Sequence, residues 1–208
     1  MRRIAFFVVL LTVCIFSSAY AEENISAPAM ERIVEIKIHV ISHKVDVIYE
    51  GEDEEDLTKR HEAATASPRN AGEIPYGKVG RIWQIVLNPA WSPTKKIREE
   101  FTSKKKNLPK TIPPGRNNPL GKIKLFISFD DNNSTLGLHG TNEPKSIGKR
   151  VTHGCTRMGS DDIFEAARII LEQNGYDADE LFQKAQKNPK KTLIIEIYDG
   201  PTVVHLKD

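Results

Sequence analysis

"RIVEIKIHVISHKVDVIY", residues 32–49, is the stretch that decides the fold class. Residues 32–41 alternate apolar and polar side chains, the period of a half-buried strand. Residues 44–49 repeat the pattern, and Ser42-His43-Lys44 fits a tight turn between them, so the stretch predicts a β-hairpin. Downstream, residues 50–62 are dense in charge and are expected to be a solvated connection. A further strand is predicted over 80–89, stopped by Asn88-Pro89. Ser92-Pro93 signals the start of a helix over 92–106. Residues 107–121 read as a loop stiffened by Pro109, Pro113, Pro114 and Pro119, and a long loop inside a domain is often functional. Strands follow at 122–129 and 135–140 around the turn Asp130–Ser134. Residues 160–175 have helical periodicity, a cap at Ser160 or Asp161 and a stop at Gly175. A shorter helix (177–186) and two strands within 192–206 around Asp199-Gly200-Pro201 complete the chain. Strands dominate. The expected class is mainly β with peripheral helices, as a β-sandwich or a partly closed barrel.

Residues 1–21 resemble a cleavable signal peptide. Arg2 and Arg3 form a basic head, an apolar run follows, and Ala19-Tyr20-Ala21 has the small-x-small pattern of a cleavage site. The run is short for a membrane span and leads into acidic residues, not a stop-transfer flank. Thr12 and Val13 fit lipoprotein processing at Cys14 poorly. Residues 22–208 are then expected to form one exported domain large enough for a real core. Without Arg2 and Arg3, 28 Lys and Arg balance 28 Asp and Glu. That balance argues against a nucleic-acid partner, whose binding needs a basic excess.

The chain has two cysteines, and loss of the leader removes Cys14. Cys155 then stands alone, so no intrachain disulfide is expected. A lone thiol in an oxidising compartment is a liability unless it is buried, pairs with another chain or does chemistry. Its surroundings, "THGCTRM" (152–158), hold His153 two residues before it and Arg157 two after. His139 lies upstream in "LGLHGT". An imidazole next to a thiol can take its proton. Gly154 permits a turn whose N–H groups can receive an oxyanion. Arg157 suits a substrate carboxylate or a structural ion pair equally. In an extended segment His153 would share a face with Cys155, an argument that fails if the chain bends at Gly154. Zinc held by His139, His153 and Cys155 is the competing chemistry, but no Cys-x-x-Cys or His-Glu-x-x-His occurs.

The pairing of "HGT" (139–141) with "THGCTRM", with twelve residues between His139 and Thr152, resembles the L,D-transpeptidase (YkuD-type) catalytic domain. "NPAWSPTKKIREEF", "LPKTIPPGRNNPLGKIKL" and the Asp161-Asp162-Ile163 that follows the motif extend the likeness over roughly residues 33–170, in the style of the Gram-negative periplasmic branch. The resemblance implies the family's fold, with Cys155 as nucleophile and His139 as base, oriented by the Gly140 carbonyl. It implies that His153 and Gly154, with Cys155, frame the oxyanion hole, and that Arg157, with Thr141 and Thr152, helps hold substrate or loop.

The implied reaction starts on a peptidoglycan tetrapeptide. Cys155 attacks the L,D bond between diaminopimelate and the terminal D-Ala, and a thioester forms. An amine then takes the acyl group: a second stem, a free D-amino acid or a lysine of an envelope protein. Water as acceptor would make an L,D-carboxypeptidase. No cofactor and no metal are implied, and the location implied is the periplasm. The chain departs from the pattern at Thr156, where an apolar residue is usual, and at "EIPYG" (73–77). It also has a longer tail beyond 170, and no LysM wall-binding stretch is read in it. These departures bear on acceptor choice and wall docking. A zinc hydrolase and a non-catalytic wall-binding protein are the remaining readings.

Overall fold

The computed structural model describes residues 32–50, 56–129 and 136–208. The expected leader and the Asp130–Ser134 turn lie outside those residues. The hairpin forms as β1 (Arg32–His39) and β2 (Lys44–Glu50), antiparallel, with Ile36 opposite Val47 and Ile38 opposite Val45. A register shift between Ile33 and Glu35 explains why Ile33 and Ile36, three apart, are both buried. A bulge adds one residue and resets which side chain faces inward.

The other strands are β3 (Asp56–Ala66), β4 (Val79–Leu87), β5 (Ile123–Ser128), β6 (Gly137–His139), β7 (Arg150–Thr152), β8 (Thr156–Met158), β9 (Leu193–Glu196) and β10 (Thr202–Leu206). They run in the order β10-β1-β2-β3-β8-β6-β5-β4, and β4 pairs back onto β10. Eight strands therefore close into a barrel-like circuit, which leaves no open edge between them. β9 pairs with β4 over Gln84–Leu87, beside the stretch that β10 takes at Val79–Arg81. The protein is thus mainly β with peripheral helices, and the barrel reading holds.

Buried Ile36, Ile38, Val47, Ile85, Leu125, Ile127 and Leu138 fill the core. Each such side chain contributes about 1.5–3 kcal/mol relative to exposure. Helix α2 (Ser160–Gln173) presses Ile163, Ala166, Ala167 and Ile170 onto that core. Helix α3 (Ala178–Lys187) joins it through an edge-on Phe164–Phe182 pair at 5.2 Å and an Arg168–Asp179 bond of 2.7 Å.

Three expectations need correction. Residues 56–62 are the outer half of β3, not a wet connection. They pair along the whole of β2, and Arg60 grips Asp46 through two bonds of 2.6 Å. Cross-strand charge pairs hold this extension where no apolar face does. Helix α1 spans Lys95–Ser103, capped by the Thr94 hydroxyl, which accepts the Ile97 N–H at 3.4 Å. Its start is therefore later than Ser92-Pro93 suggested. Finally, Gly159 occupies the N-cap of α2 without a side-chain bond, and Ser160 and Asp161 fall inside the first turn. Asp161 and Asp162 there complement the positive end of the helix dipole.

Candidate active site

β6 and β8 lie parallel, with Leu138 opposite Thr156 and His139 opposite Arg157. That pairing brings together residues the chain separates by more than a dozen positions. His139, His153, Cys155, Arg157 and Thr152 all line one cleft of about 1010 Å³. Cys155 is half-buried. Thr141 is not among the lining residues.

His139 is 4 % exposed. Its Nδ1 lies 2.5 Å from the Gly140 carbonyl oxygen. A carbonyl only accepts, so Nδ1 carries the hydrogen and Nε2 is left with its lone pair. Burial pushes the pKa of His139 down to about 3, against the Gly140 bond that favours the proton; the nearby charges of Lys124 and Arg157 push further down. The resting imidazole is therefore neutral and can accept a proton at Nε2. The Gly140 corner is itself braced. Its N–H donates to Ile123 at 3.1 Å, and Gly121 packs so closely that a Cβ there would sit 2.7 Å from the Thr141 nitrogen. Gly121 has φ +66°, so both space and backbone demand glycine. Gly121 ends the proline-rich loop, which is anchored by fully buried Asn118. The Asn118 amide donates to the Pro89 carbonyl at 2.8 Å, and its oxygen accepts the Leu120 N–H at 2.9 Å.

His153 is held differently. Its Nε2 donates to the Glu100 carboxylate of α1 at 2.7 Å. Glu100 also takes a 2.6 Å bond from Lys104 and lies 3.7 Å from Arg69. Lys104 first and His153 second hold its pKa down to about 2. Gly154 turns the chain at φ +140°, and a Cβ there would meet Leu136 at 2.8 Å. The bend cancels any argument from strand alternation between His153 and Cys155. The Thr152 hydroxyl accepts the Gly154 N–H at 3.3 Å, and the Thr141 hydroxyl accepts the Glu143 N–H at 2.9 Å. Both hydroxyls thereby help shape turns. Arg157 donates to the Glu143 carboxylate at 3.0 Å and to Ser146 at 3.3 Å, while its Nε is buried without a hydrogen-bond partner among the described residues. These contacts tie Arg157 to the 143–146 segment.

Sequence reasoning passed over Glu100, Asn118 and Lys124. Lys124 stands opposite His139 across β5–β6, lines the cleft and sits 4.0 Å over the Phe126 ring. The "IKLF" alternation sets Lys124 on the face opposite Ile123 and Leu125 and gives no sign of its burial. Among the described residues, no three His, Cys, Asp or Glu side chains cluster closely enough to hold a metal ion.

Known proteins resemble this chain as follows. The family model of the YkuD L,D-transpeptidase catalytic domain matches residues 35–197. "Probable L,D-transpeptidase YbiS" of Escherichia coli K12 is 39% identical over 91 residues, covering 44% of this chain and 28% of that protein. "Putative L,D-transpeptidase YkuD" of Bacillus subtilis is 56% identical over 52 residues, 25% of this chain and 29% of that one. The aligned part of the chain therefore spans under a third of either relative. An L,D-transpeptidase structure from Mycobacterium smegmatis superposes with a TM-score of 0.42 at 13% identity, over 84% of this chain and 58% of the other.

Proposed function

Because the chain belongs to the L,D-transpeptidase family, whose catalytic-domain model spans residues 35–197, we propose that it transfers peptidoglycan stem acyl groups through a Cys155 thioester. The observation that carries this reading is the forced tautomer of His139: a dry, neutral imidazole with its Nε2 lone pair available, in the same cleft as the only thiol among the described residues.

In the first half-reaction, the Cys155 sulfur bonds to the carbonyl carbon at the L-centre of diaminopimelate, and His139 Nε2 takes the thiol proton. The oxyanion is received by backbone N–H groups of the His153–Cys155 turn. The C–N bond then breaks, the proton passes from His139 to the departing amine, and D-Ala leaves. In the second half, an acceptor amine attacks the thioester and gives its proton to His139. The C–S bond breaks, and the thiol recovers that proton. The acceptor is a second stem, a D-amino acid or a protein lysine. Arg157 keeps the 143–146 segment against the cleft, and Thr152 orders the Gly154 turn. The site works outside the cytoplasmic membrane, in the periplasm, where stem peptides are found. No organic cofactor takes part.

Purified protein incubated with tetrapeptide stems is expected to release D-Ala, and Cys155→Ala is expected to abolish release. Mass analysis with and without an added D-amino acid identifies the acceptor, and hydrolysed tripeptide alone would assign water. Release that persists in Cys155→Ala would remove the thioester from the reaction.

A further inference from the structure

Outside the catalytic cluster, one surface strip has no role in the acyl transfer. β4 shifts register against β5 between Ile82 and Gln84. Trp83 sits in that irregularity, 42% exposed, and meets the Phe126 ring edge-on at 6.2 Å. Bulges re-aim a side chain, and this one turns a large aromatic outward beside the cleft. The Ile197 N–H bonds the Trp83 carbonyl at 2.8 Å, which places Tyr198 next along the strip. Tyr198 is 83% exposed, and its hydroxyl donates to Glu196 at 3.1 Å. Gln84 stands opposite both Phe126 and Glu196.

We propose that this strip binds the glycan strand from which the stem peptide branches, a reading that rests on the acyl-transfer function above. Two features select a sugar. First, aromatic faces alternate with an amide and a carboxylate. Sugar rings present apolar C–H faces and hydroxyl edges, which match an aromatic face rimmed by acceptors.

The second feature is spacing. One step back in the β6–β8 register sets Gly137 level with Cys155, and Gly137 is opposite Phe126, itself opposite Gln84. The strip therefore continues the cleft along one row, three strand spacings or ~14 Å from the thiol. Gly137 adds no side chain to that row, since a Cβ there would lie 2.2 Å from the Leu125 carbonyl oxygen, and the Lys124 side chain crosses the row between Gly137 and the Phe126 ring. Three stem residues span roughly 10–11 Å when extended. A stem with its third residue at Cys155 thus delivers its sugar to Trp83.

The test is equilibrium binding of peptide-free glycan oligosaccharides to the full chain. Saturable binding is expected, retained in Cys155→Ala and weakened at least tenfold in Trp83→Ala. Tyr198→Ala, at a far more exposed position, is expected to weaken it several-fold. Absent glycan binding, or binding indifferent to both aromatic substitutions, overturns the proposal, as does binding of free stem peptide that Trp83→Ala removes. Because Cys155→Ala protein is used, failure here is separate from failure of D-Ala release, which alone tests the acyl-transfer reading.

Discussion

The two histidines near Cys155 are held in opposite ways. His139 ends a buried strand and gives its Nδ1 hydrogen to a backbone carbonyl. His153 is half-exposed and gives its Nε2 hydrogen to a carboxylate on a helix. A carbonyl fixes the tautomer without adding charge, and burial then disfavours the imidazolium. A carboxylate fixes the ring by a charge-assisted bond. The sequence neighbour of the thiol is therefore tied to α1, whereas the distant histidine is the one left poised to accept a proton. Under the proposed mechanism, proximity in the chain is a poor guide to which imidazole takes the thiol proton.

The largest expected effect comes from removing the poised base. His139→Ala should slow D-Ala release roughly 10²–10⁴-fold, the usual worth of general acid–base catalysis. His153→Ala should cost about ten- to a hundredfold through a misplaced turn. Equal losses in the two variants would erase the distinction between them. Glu100→Ala should lower kcat about tenfold with KM little changed, and Glu100→Gln, which still accepts the His153 hydrogen, should recover most of it. A full loss in Glu100→Gln would show that the charge, not the bond, matters.

The pH profile probes the same contrast. His139 stays neutral down to about pH 3, so the acid limb of kcat/KM due to it should fall near there, well below the ordinary imidazole value near 6.5. A limb between pH 6 and 7 that disappears in His139→Gln would contradict the dry, neutral ring.

A third histidine sharpens the point. His205 is 2 % exposed and does not line the cleft, and its Nδ1 has no hydrogen-bond partner among the described residues. Burial lowers its pKa to about 4. Between about 4 and 6.5 the unfolded chain binds a proton that the folded one refuses. Stability is thus full above 6.5 and falls as pH drops toward 4, by roughly 3 kcal/mol. His205→Leu should flatten that fall in Tm without touching the acid limb of activity.

Some of this was legible in the chain and some was not. The 32–49 hairpin was readable because the period of two survives in its sequence, with Ile36 and Ile38 facing Val47 and Val45, although β2 is buried on both faces. Asp56–Glu62 was not, because that half of β3 lies beyond the core and is held by charge pairs with β2. The short strands β7 and β8 escaped notice because three residues cannot display a period. His139 and Cys155 were paired by the family resemblance that their two motifs carry, and the structure brings them into one cleft. Glu100 gave no signal. It lies 53 residues from His153, and only the packing of α1 joins them.

The sequence by itself determined the strand-rich class, the single thiol outside the expected leader and the residue types that can serve it. Those follow from composition, periodicity and motif, which are local or nearly so. Tertiary structure alone decided which imidazole is dry, which nitrogen bears its hydrogen and which carboxylate holds the other ring. Desolvation and hydrogen-bond partners set those properties, and both are supplied by residues far away along the chain.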